Sequence, residues 1–358
     1  MKILITAPSL DEKENVSGIS TLVREITGSG DCEFVHFSAG RKDSEKADFG
    51  WLLRQILLPP RFFRQIFREK IDVVHINTAF VPLSLVRDAA LTAAARLAGR
   101  PVLLHPNGGR FLVEEFESRP LAWIAEKMAR AASKVLVLSE LEKESLTRRW
   151  KNLNVSILPN AIAIDAIPAV ERENREKTII FFGRIHESKG LSEIIEVCEI
   201  LKKEGFQFQF KCYGTGPLKD FFTREMSRIL GDKFYYGGVV SGTEKWRALA
   251  ESHIFLLPSR YGEGLPLAML EAMAAGCVVV VSEMASIGAV IESGVNGFLI
   301  EPQNVSQLIE KMKMLLSGET DLETISLNAR KTVEEKFNLR DYIKKLEDIY
   351  AEISNNKS

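Results

Sequence analysis

The sequence predicts an α/β protein with two doubly wound parallel sheets. Short runs rich in Val, Ile and Leu alternate with helical segments along the 358 residues, which is the pattern of successive βαβ units. With 46% apolar residues, a chain of this length can bury two separate cores. We therefore expect two domains, each built around its own sheet.

Twelve apolar runs are the predicted strands, six in each sheet. The first sheet takes Ile3 to Thr6, Glu33 to Phe37, Val73 to Ile76, Val102 to Leu104, Val135 to Leu138 and Val155 to Leu158. The second sheet takes Thr178 to Phe182, Gln207 to Tyr213, Phe234 to Tyr236, Ile254 to Leu257, Cys277 to Val281 and Gly297 to Ile300. Each series is typical of a Rossmann-like domain.

A stretch with the composition of a linker separates the two series. Residues 160–177 include Pro168 and then the charged run Glu171 to Lys177. We expect a first domain of residues 1–165, a second of residues 166–338, and a hinge between them. A last amphipathic helix is predicted at about Leu339 to Ile353.

Charge and cysteine content narrow the class of protein. Lys and Arg number 47 against 48 Asp and Glu, so a net charge of −1 does not favour nucleic acid as a partner. The four cysteines lie far apart without metal-ligand spacing, which fits a reduced cytoplasm. Met1 to Thr6 begins a strand without signal-peptide features, and no apolar run is long enough to span a bilayer. We expect a cytoplasmic protein, soluble or peripheral at the inner face of a membrane.

Two carboxylates follow the predicted strand Ile254 to Leu257. Glu263 falls in a glycine loop, and Glu271 falls in the second turn of a helix predicted from Pro266 to Ala275. Pro266 would occupy the first turn of that helix, where a missing N–H is tolerated. Carboxylates at such a strand end suit the hydroxyls of a sugar and a ribose.

Anion-binding groups accompany these carboxylates. The amides of Gly264 and Leu265 and the positive end of the helix dipole would stabilise a diphosphate. In the preceding part of the sequence, Arg184 and Lys189 follow the strand end at Gly183. A planar guanidinium and a compact ammonium can neutralise a departing diphosphate without a metal.

These motifs resemble the retaining glycosyltransferases of family 4 over nearly the whole chain. The most specific motif is the segment Glu263 to Gly276, in which seven residues separate Glu263 from Glu271. The other matching motifs are Gly183-Arg184 with Lys189-Gly190, Gly214-Thr-Gly-Pro217, Pro159 to Ile162, and Gly294 to Leu299. It implies a glycosyltransferase B fold, in which two Rossmann-like domains face a cleft and the first domain lies on the acceptor side. It also implies that residues 339–358 cross back onto the first domain.

The resemblance implies an activity as well. A hexosyltransferase of this kind moves a sugar from a nucleotide diphosphate sugar to a saccharide or polyprenyl-linked acceptor, with retention and without a metal or cofactor. Assembly of surface polysaccharide, lipopolysaccharide or glycolipid is the implied setting. Attack would come from the face that the diphosphate leaves, and a diphosphate oxygen would take the acceptor proton, so that no protein nucleophile is required.

Roles for individual residues follow from the same likeness. Arg184 and Lys189 would neutralise the leaving diphosphate, Glu263 would hold hydroxyls of the donor sugar, and Glu271 would hold the ribose. The remaining donor-binding positions are Gly18, Gly183, Gly214, Gly216, Val239, Gly264, Leu265 and Pro266. Gly18, in Ser17-Gly18-Ile19, is also explained by an ordinary strand-to-helix turn.

The residue that faces the transferred sugar is open between His105 and Asn107. Relatives place a histidine directly before the glycine of this motif, whereas Val102 to Gly109 has Asn107 there and His105 two residues earlier. Asn107 could bind a sugar hydroxyl but cannot exchange a proton near neutral pH. His105 either contacts sugar or is a core histidine bonded to backbone.

The segment Trp51 to Lys70 allows two interpretations. Its bulky apolar residues are interleaved with four arginines and a lysine, which is typical of a peripheral contact with an anionic membrane. A helix before a strand must also pack on the sheet, and its aromatic residues would then be core while its arginines reach solvent.

Two other functions fit parts of the sequence. A nonhydrolysing sugar-nucleotide epimerase shares the fold class, but it would convert the donor without any acceptor. A noncatalytic subunit that binds sugar nucleotide is the second, because Asn107 stands where relatives have histidine.

Overall fold

The structure is a computed structural model that describes residues 1–12, 14–41, 45, 48–108, 110–114, 116, 118–164, 167–168 and 176–355. For Phe49, Leu52, Leu53 and Arg110 it describes the backbone alone. The predicted boundary at 165/166 and most of the charged run from Glu171 lie outside the described residues. Within them, no helix is long and apolar enough to cross a membrane.

The chain divides into two compact units, which we call the first unit and the second unit. The first unit holds Met1–Asn160 with Leu339–Ser358, and the second holds Ala161–Asn338. Each contains one parallel sheet of six strands, which confirms the predicted fold class.

In the first unit the sheet order is β2-β1-β3-β4-β5-β6. The strands are β1 Lys2–Ala7, β2 Glu33–Ser38, β3 Val73–Thr78, β4 Val102–Pro106, β5 Lys134–Val137 and β6 Val155–Ile157. The helices are α1 Gly18–Ser29, α2 Phe49–Ile56, α3 Leu58–Arg68, α4 Pro82–Leu97, α5 Arg119–Ala131, α6 Glu140–Arg149 and, from the end of the chain, α13 Leu339–Asn355. A 3-10 turn spans Arg110–Leu112.

In the second unit the sheet order is β12-β11-β10-β7-β8-β9. The strands are β7 Lys177–Phe182, β8 Phe208–Tyr213, β9 Phe234–Gly238, β10 Ile254–Leu257, β11 Val278–Ser282 and β12 Phe298–Ile300. The helices are α7 Leu191–Lys203, α8 Lys219–Leu230, α9 Gly242–Ala250, α10 Leu267–Ala274, α11 Val305–Ser317 and α12 Leu322–Lys336. Two 3-10 turns span Glu187–Lys189 and Gly231–Lys233.

Helices cover both faces of the first sheet. Val74 and Ile76 point into a core that also contains Phe62 of α3 and Leu91 of α4. His75 lies between them in the sequence and contacts Tyr350 of α13, so α13 covers the opposite face. On the first of these faces, α4 packs between α3 and α5.

All twelve predicted strands are present, with ends that differ by at most two residues. Short apolar runs rich in β-branched residues and bounded by turn residues are typical of parallel strands, so their positions could be predicted from local composition. The end of β4 is a relevant difference, because the strand continues through Pro106 and includes His105.

The helix after β10 is shorter than the predicted Pro266 to Ala275. It begins at Leu267, and Pro266 precedes it with φ −66° and ψ 124°, so the placement of Pro266 inside the first turn was wrong. Its extended ψ keeps the loop from continuing the helix backwards. Gly276 follows the helix with φ +80°, a left-handed conformation that glycine adopts without strain.

The segment Trp51 to Lys70 forms two helices, α2 and α3, instead of one. Leu58, Phe62 and Ile66 are buried at a spacing of four residues and pack in the core of the first unit. This confirms that part of the segment packs on the sheet. Phe63 and Phe67 lie on the outer side, 37% and 51% exposed.

Candidate functional site

The candidate site of the second unit lies where its strand order reverses. β8 and β9 follow β7 in one direction across the sheet, whereas β10 lies on the other side of β7. In open parallel sheets, ligands bind beyond the carboxyl ends of the strands at such a switch point. The predicted residues from Gly183 to Lys189 and from Glu263 to Glu271 follow these two central strands.

Glu263 is a buried carboxylate held by two donors. Only 7% of the residue is exposed, and its Oε1 atom accepts hydrogen bonds from Lys189 Nζ at 2.5 Å and from Ser259 Oγ at 2.6 Å. Lys189 keeps 23% of its side chain exposed. The ammonium therefore compensates the carboxylate and also reaches the surface at which an anion would bind.

Glu271 is paired in a similar way. It lies on α10, is 6% exposed, and accepts a hydrogen bond on Oε1 from Lys245 Nζ at 2.7 Å. Lys245 belongs to α9, and its Nζ atom lies 5.0 Å from the centre of the Trp246 ring. Each of the two carboxylates thus has a lysine partner, whose charge offsets the desolvation cost of burying it.

Side chains and backbone fix the loop after β10 against the loop after β7. The Arg260 amide donates to Ser188 O at 2.8 Å, and its guanidinium Nε lies 2.7 Å from Glu193 Oε1. At Gly190, φ is +71° and an added Cβ would lie 1.9 Å from Pro258 O. Only glycine allows this approach, which brings Lys189 to Glu263.

The loops after β7, β8 and β9 also meet at the backbone. Gly214 has φ +124°, and an added Cβ would lie 1.9 Å from Gly183 O. At Gly216 an added Cβ would lie 2.3 Å from Ile185 O. The Gly214 amide donates to Gly238 O at 2.6 Å, and Val239 follows with 47% of its surface exposed.

The remaining predicted donor-binding residues of the second unit flank these loops. Gly264 and Leu265 are buried just before Pro266 and the amino end of α10. That end carries the partial positive charge of the helix dipole, which favours an anion. Arg184 is half-buried directly after Gly183 at the end of β7.

The first unit presents amides at the corresponding strand ends. Asn107 Nδ2 donates to Asn77 Oδ1 at 2.7 Å and to His105 O at 3.0 Å. Asn77 Nδ2 donates in turn to Thr6 O at 2.9 Å. Gly18 begins α1 after the N-cap Ser17, whose side chain accepts from Ser20 N. Gly109 of the same motif lies outside the described residues.

His105 lies inside the first unit, with no exposed surface. Its Nδ1 atom is 3.3 Å from His75 Nε2, and His75 Nδ1 is 2.6 Å from Tyr350 Oη. Burial lowers the pKa of His105 to about 3 and the pKa of His75 well below its ordinary value. Both rings are therefore neutral near pH 7.

Sequence reasoning missed Lys245 and Ser259 as partners of the two glutamates. Ser259 lies four residues before Glu263, but a serine in a loop carries no distinctive signal. Lys245 lies on a different helix, 26 residues before Glu271. Three or more His, Cys, Asp or Glu side chains do not converge as metal ligands anywhere in the described part of the chain.

Two family models match the chain, one on each unit. The model "Glycosyl transferases group 1" covers residues 164–332, and "Glycosyl transferase 4-like domain" covers residues 16–161. Both units of the chain are therefore recognised as parts of glycosyltransferases.

Individual relatives agree with these matches. The amylovoran biosynthesis glycosyltransferase AmsK of Erwinia amylovora is 35% identical over 182 residues, which are 49% of this chain and 45% of that protein. The chain thus spans under half the length of this relative. A galactosyltransferase of Escherichia coli, named for UDP-Gal and α-D-GlcNAc-diphosphoundecaprenol, is 23% identical over 82% of this chain and 79% of its own length.

Solved structures share the fold. HepE of Anabaena, in complex with UDP-glucose, superimposes with a TM-score of 0.78 at 19% identity, over 98% of this chain and 100% of that one. Its likeness confirms the expected glycosyltransferase B architecture of two Rossmann-like units. With its two family matches and this fold, the chain belongs to the group 1 glycosyltransferases.

Proposed function

We propose that this chain is a retaining, metal-independent glycosyltransferase of surface-polysaccharide or glycolipid assembly. It transfers a sugar from a nucleoside diphosphate sugar to a hydroxyl of a saccharide or lipid-linked acceptor. The observation that carries the proposal is the double pairing of Glu263 with Lys189 and of Glu271 with Lys245, both at the switch point of the second sheet. The site thus offers cations for the phosphate oxygens and carboxylates for the hydroxyls of a nucleoside diphosphate sugar.

Donor binding exchanges the partners of one pair and keeps the other pair intact. As the diphosphate approaches, the Lys189 ammonium turns from Glu263 towards the phosphate oxygens, and Arg184 adds a second cation. Glu263, still held by Ser259 at 2.6 Å, then accepts hydroxyls of the donor sugar. Glu271 accepts the ribose hydroxyls while Lys245 holds it in position, and the amino end of α10 faces the diphosphate.

The reaction keeps the configuration of the anomeric carbon. The acceptor oxygen attacks that carbon from the face that the diphosphate leaves, so the bond from carbon to phosphate oxygen breaks as the new glycosidic bond forms. The acceptor proton passes to the departing phosphate oxygen. Lys189 and Arg184 stabilise the negative charge that grows on the diphosphate, which is where electrostatic catalysis is most effective.

A uridine diphosphate hexose is the proposed donor. HepE binds UDP-glucose, and the Escherichia coli galactosyltransferase is named for UDP-Gal and a diphosphoundecaprenol-linked acceptor. We extend that acceptor class to this chain. The proposal includes a cytoplasmic location and a peripheral contact of Trp51 to Lys70 with an anionic membrane, for which the outward Phe63 and Phe67 provide apolar area.

A thermal-shift screen tests the donor site. Purified protein is heated with uridine, guanosine, adenosine and thymidine diphosphate sugars, and the UDP-hexose should stabilise it by about 2.7 kcal/mol at one hundred times its Kd. Glu271→Gln, with a donor Kd raised about tenfold, should lose about half of this stabilisation at the same donor concentration. Leu327→Gln, on an exposed side chain of α12, is the matched control and should keep it. Equal shifts for all sugars, or none, would contradict the donor-site assignment.

Catalysis is tested separately with the stabilising donor. Release of nucleoside diphosphate is followed with a polyprenyl-diphosphate-linked sugar as acceptor, and the anomeric configuration of the product is read by NMR. A product of inverted configuration would overturn the retaining mechanism. Donor binding without transfer to any acceptor would favour a noncatalytic subunit, for which the amide of Asn107 in place of a histidine is the motivating observation.

A further inference from the structure

The outer side of α4 is an apolar surface without a partner among the described residues. Leu83, Val86, Ala90, Ala93 and Leu97 follow one another at intervals of three and four residues, so they form one stripe about 21 Å long. Leu83, Val86 and Leu97 are 71%, 52% and 81% exposed. The opposite side of α4 already packs in the core, so the helix is apolar on both sides.

The helices on either side of α4 extend this surface. On α3, the rings of Phe63 and Phe67 lie 5.0 Å apart on the outer side. On α5, Trp123 is 60% exposed, and Lys127 Nζ lies 5.9 Å from the centre of its ring. Nine of the seventeen exposed large apolar side chains in the described residues lie between Ile56 and Trp123. Such clustering marks an interaction surface, since single exposed apolar residues are otherwise scattered.

The three helices are also strongly basic. Together, α3, α4 and α5 carry eight Arg and Lys against two Asp and Glu, a net charge of +6 in a chain whose total is −1. The rest of the chain therefore carries −7. Three of the eight cations have acidic partners: Arg87 pairs with Asp88, Arg130 with Glu126, and Arg68 with Glu69 just after α3. The surplus cations thus belong mainly to α3 and α5, on the two sides of the apolar stripe.

We propose that the outer face of α3, α4 and α5 docks the protein on an anionic lipid bilayer. The apolar stripe of α4 enters the boundary between headgroups and acyl chains, and the arginines and lysines of α3 and α5 meet lipid phosphates. A second copy of the chain fits this face less well, because a two-fold interface would bring like-charged helices of the two copies together. The inference deepens the proposed function, since a lipid-linked acceptor lies in that bilayer.

Vesicle co-sedimentation tests the surface with the full chain. We expect binding to phosphatidylcholine vesicles that contain phosphatidylglycerol, little binding to phosphatidylcholine alone, and weaker binding at high salt. The triple substitution Leu83→Gln, Val86→Gln and Leu97→Gln should reduce the bound fraction about tenfold or more. Leu141→Gln, on an exposed side chain of α6 in the same unit, is the matched control and should bind as the unaltered protein does.

The outcomes separate this surface from the donor site. The triple variant should keep its thermal shift with the donor sugar, because the substituted side chains are exposed on a helix of the first unit. Failure of the unaltered protein to bind anionic vesicles, or equal binding by the triple variant, would overturn the membrane proposal. A lipid-free dimer, detected by light scattering and dissociated by the triple substitution, would assign the surface to a second copy instead.

Discussion

The two sheets have similar topology but present different chemistry at their carboxyl ends. In the second unit, Lys189 pairs with Glu263 and Lys245 with Glu271 at the strand ends. In the first unit, the corresponding strand ends carry the amides of Asn77 and Asn107. One Rossmann-like frame therefore supports a charged site, and the other supports a neutral hydrogen-bonding edge.

The charged residues lie where close loop packing can supply them with partners. Buried charges need partners, and the second unit supplies them through loops that approach closely at glycines such as Gly190 and Gly214. The first unit instead buries two neutral histidines, His75 and His105, below its amides. We therefore expect the second unit to bind the diphosphate. Protonation of the two buried histidines should mainly affect the stability of the first unit.

The largest effect is expected from Lys189→Ala. Turnover should fall by a factor of about 100 to 1000, because the ammonium meets a charge that develops in the transition state. Donor affinity, measured by calorimetry, should change much less. Lys211→Ala is the matched control, since Lys211 forms an ion pair of the same unit with Glu251 at 3.1 Å. Unchanged turnover in Lys189→Ala would remove this residue from the mechanism.

The next largest effect concerns stability and pH in the first unit. Burial lowers the pKa of His75 well below its ordinary value and that of His105 to about 3. The unfolded chain has histidine pKa values of about 6.5, so below this pH it binds more protons than the folded chain does. The contribution of the two buried histidines to the free energy of unfolding is therefore complete above about pH 6.5. Below that pH, the free energy of unfolding falls by up to about 1.4 kcal/mol per pH unit for each histidine.

Urea denaturation at pH 7.5 and 5.5 measures this dependence. Tryptophan fluorescence reports mainly on the first unit, which contains Trp51, Trp123 and Trp150, whereas Trp246 belongs to the second. His105→Leu should reduce the loss of stability between the two pH values, because one titrating group is removed. An equal loss in that variant would contradict the role of the buried pair.

The fold and part of the site followed from local sequence pattern. The strands are short runs rich in apolar residues between turn residues, so all twelve were located without knowledge of their neighbours. Glu263, Glu271 and Lys189 were recognised because each follows an apolar strand and has glycines or Pro266 nearby in the sequence. Each of these residues was thus identified from signals within about ten residues of it in the sequence.

The partners of these residues could not be predicted, because they are distant in the sequence. Lys245 reaches Glu271 from another helix, and Tyr350 reaches His75 from a distance of 275 residues. Nothing within α9 distinguishes Lys245 from a solvated lysine. The outward stripe of α4 was also missed, since a helix rich in Ala and Leu gives the same signal whether one side or both sides are buried.

A smaller effect is expected from Glu271→Gln. The amide keeps the shape of the carboxylate but weakens its bonds to ribose hydroxyls, so the donor Kd should rise about tenfold with little change in turnover. Lys245 would lose its ionic partner, and Lys245→Met should therefore have a similar effect on donor Kd. If the double variant is no weaker than either single variant, the two residues act as one unit. Calorimetric Kd values equal to that of the unaltered protein would contradict the ribose role.

The smallest effect is expected from removal of divalent metal ions. Glu263 and Glu271 already have lysine ammonium groups at 2.5 Å and 2.7 Å. In the proposed mechanism, Lys189 and Arg184 supply the positive charge for the diphosphate. After dialysis against EDTA, activity should therefore stay within about twofold of its starting value, and added Mg²⁺ or Mn²⁺ should not raise it further. A loss of activity that Mn²⁺ restores would mean that a metal bridges the diphosphate. The charged edge of the second unit would then be only part of the site that stabilises the leaving group.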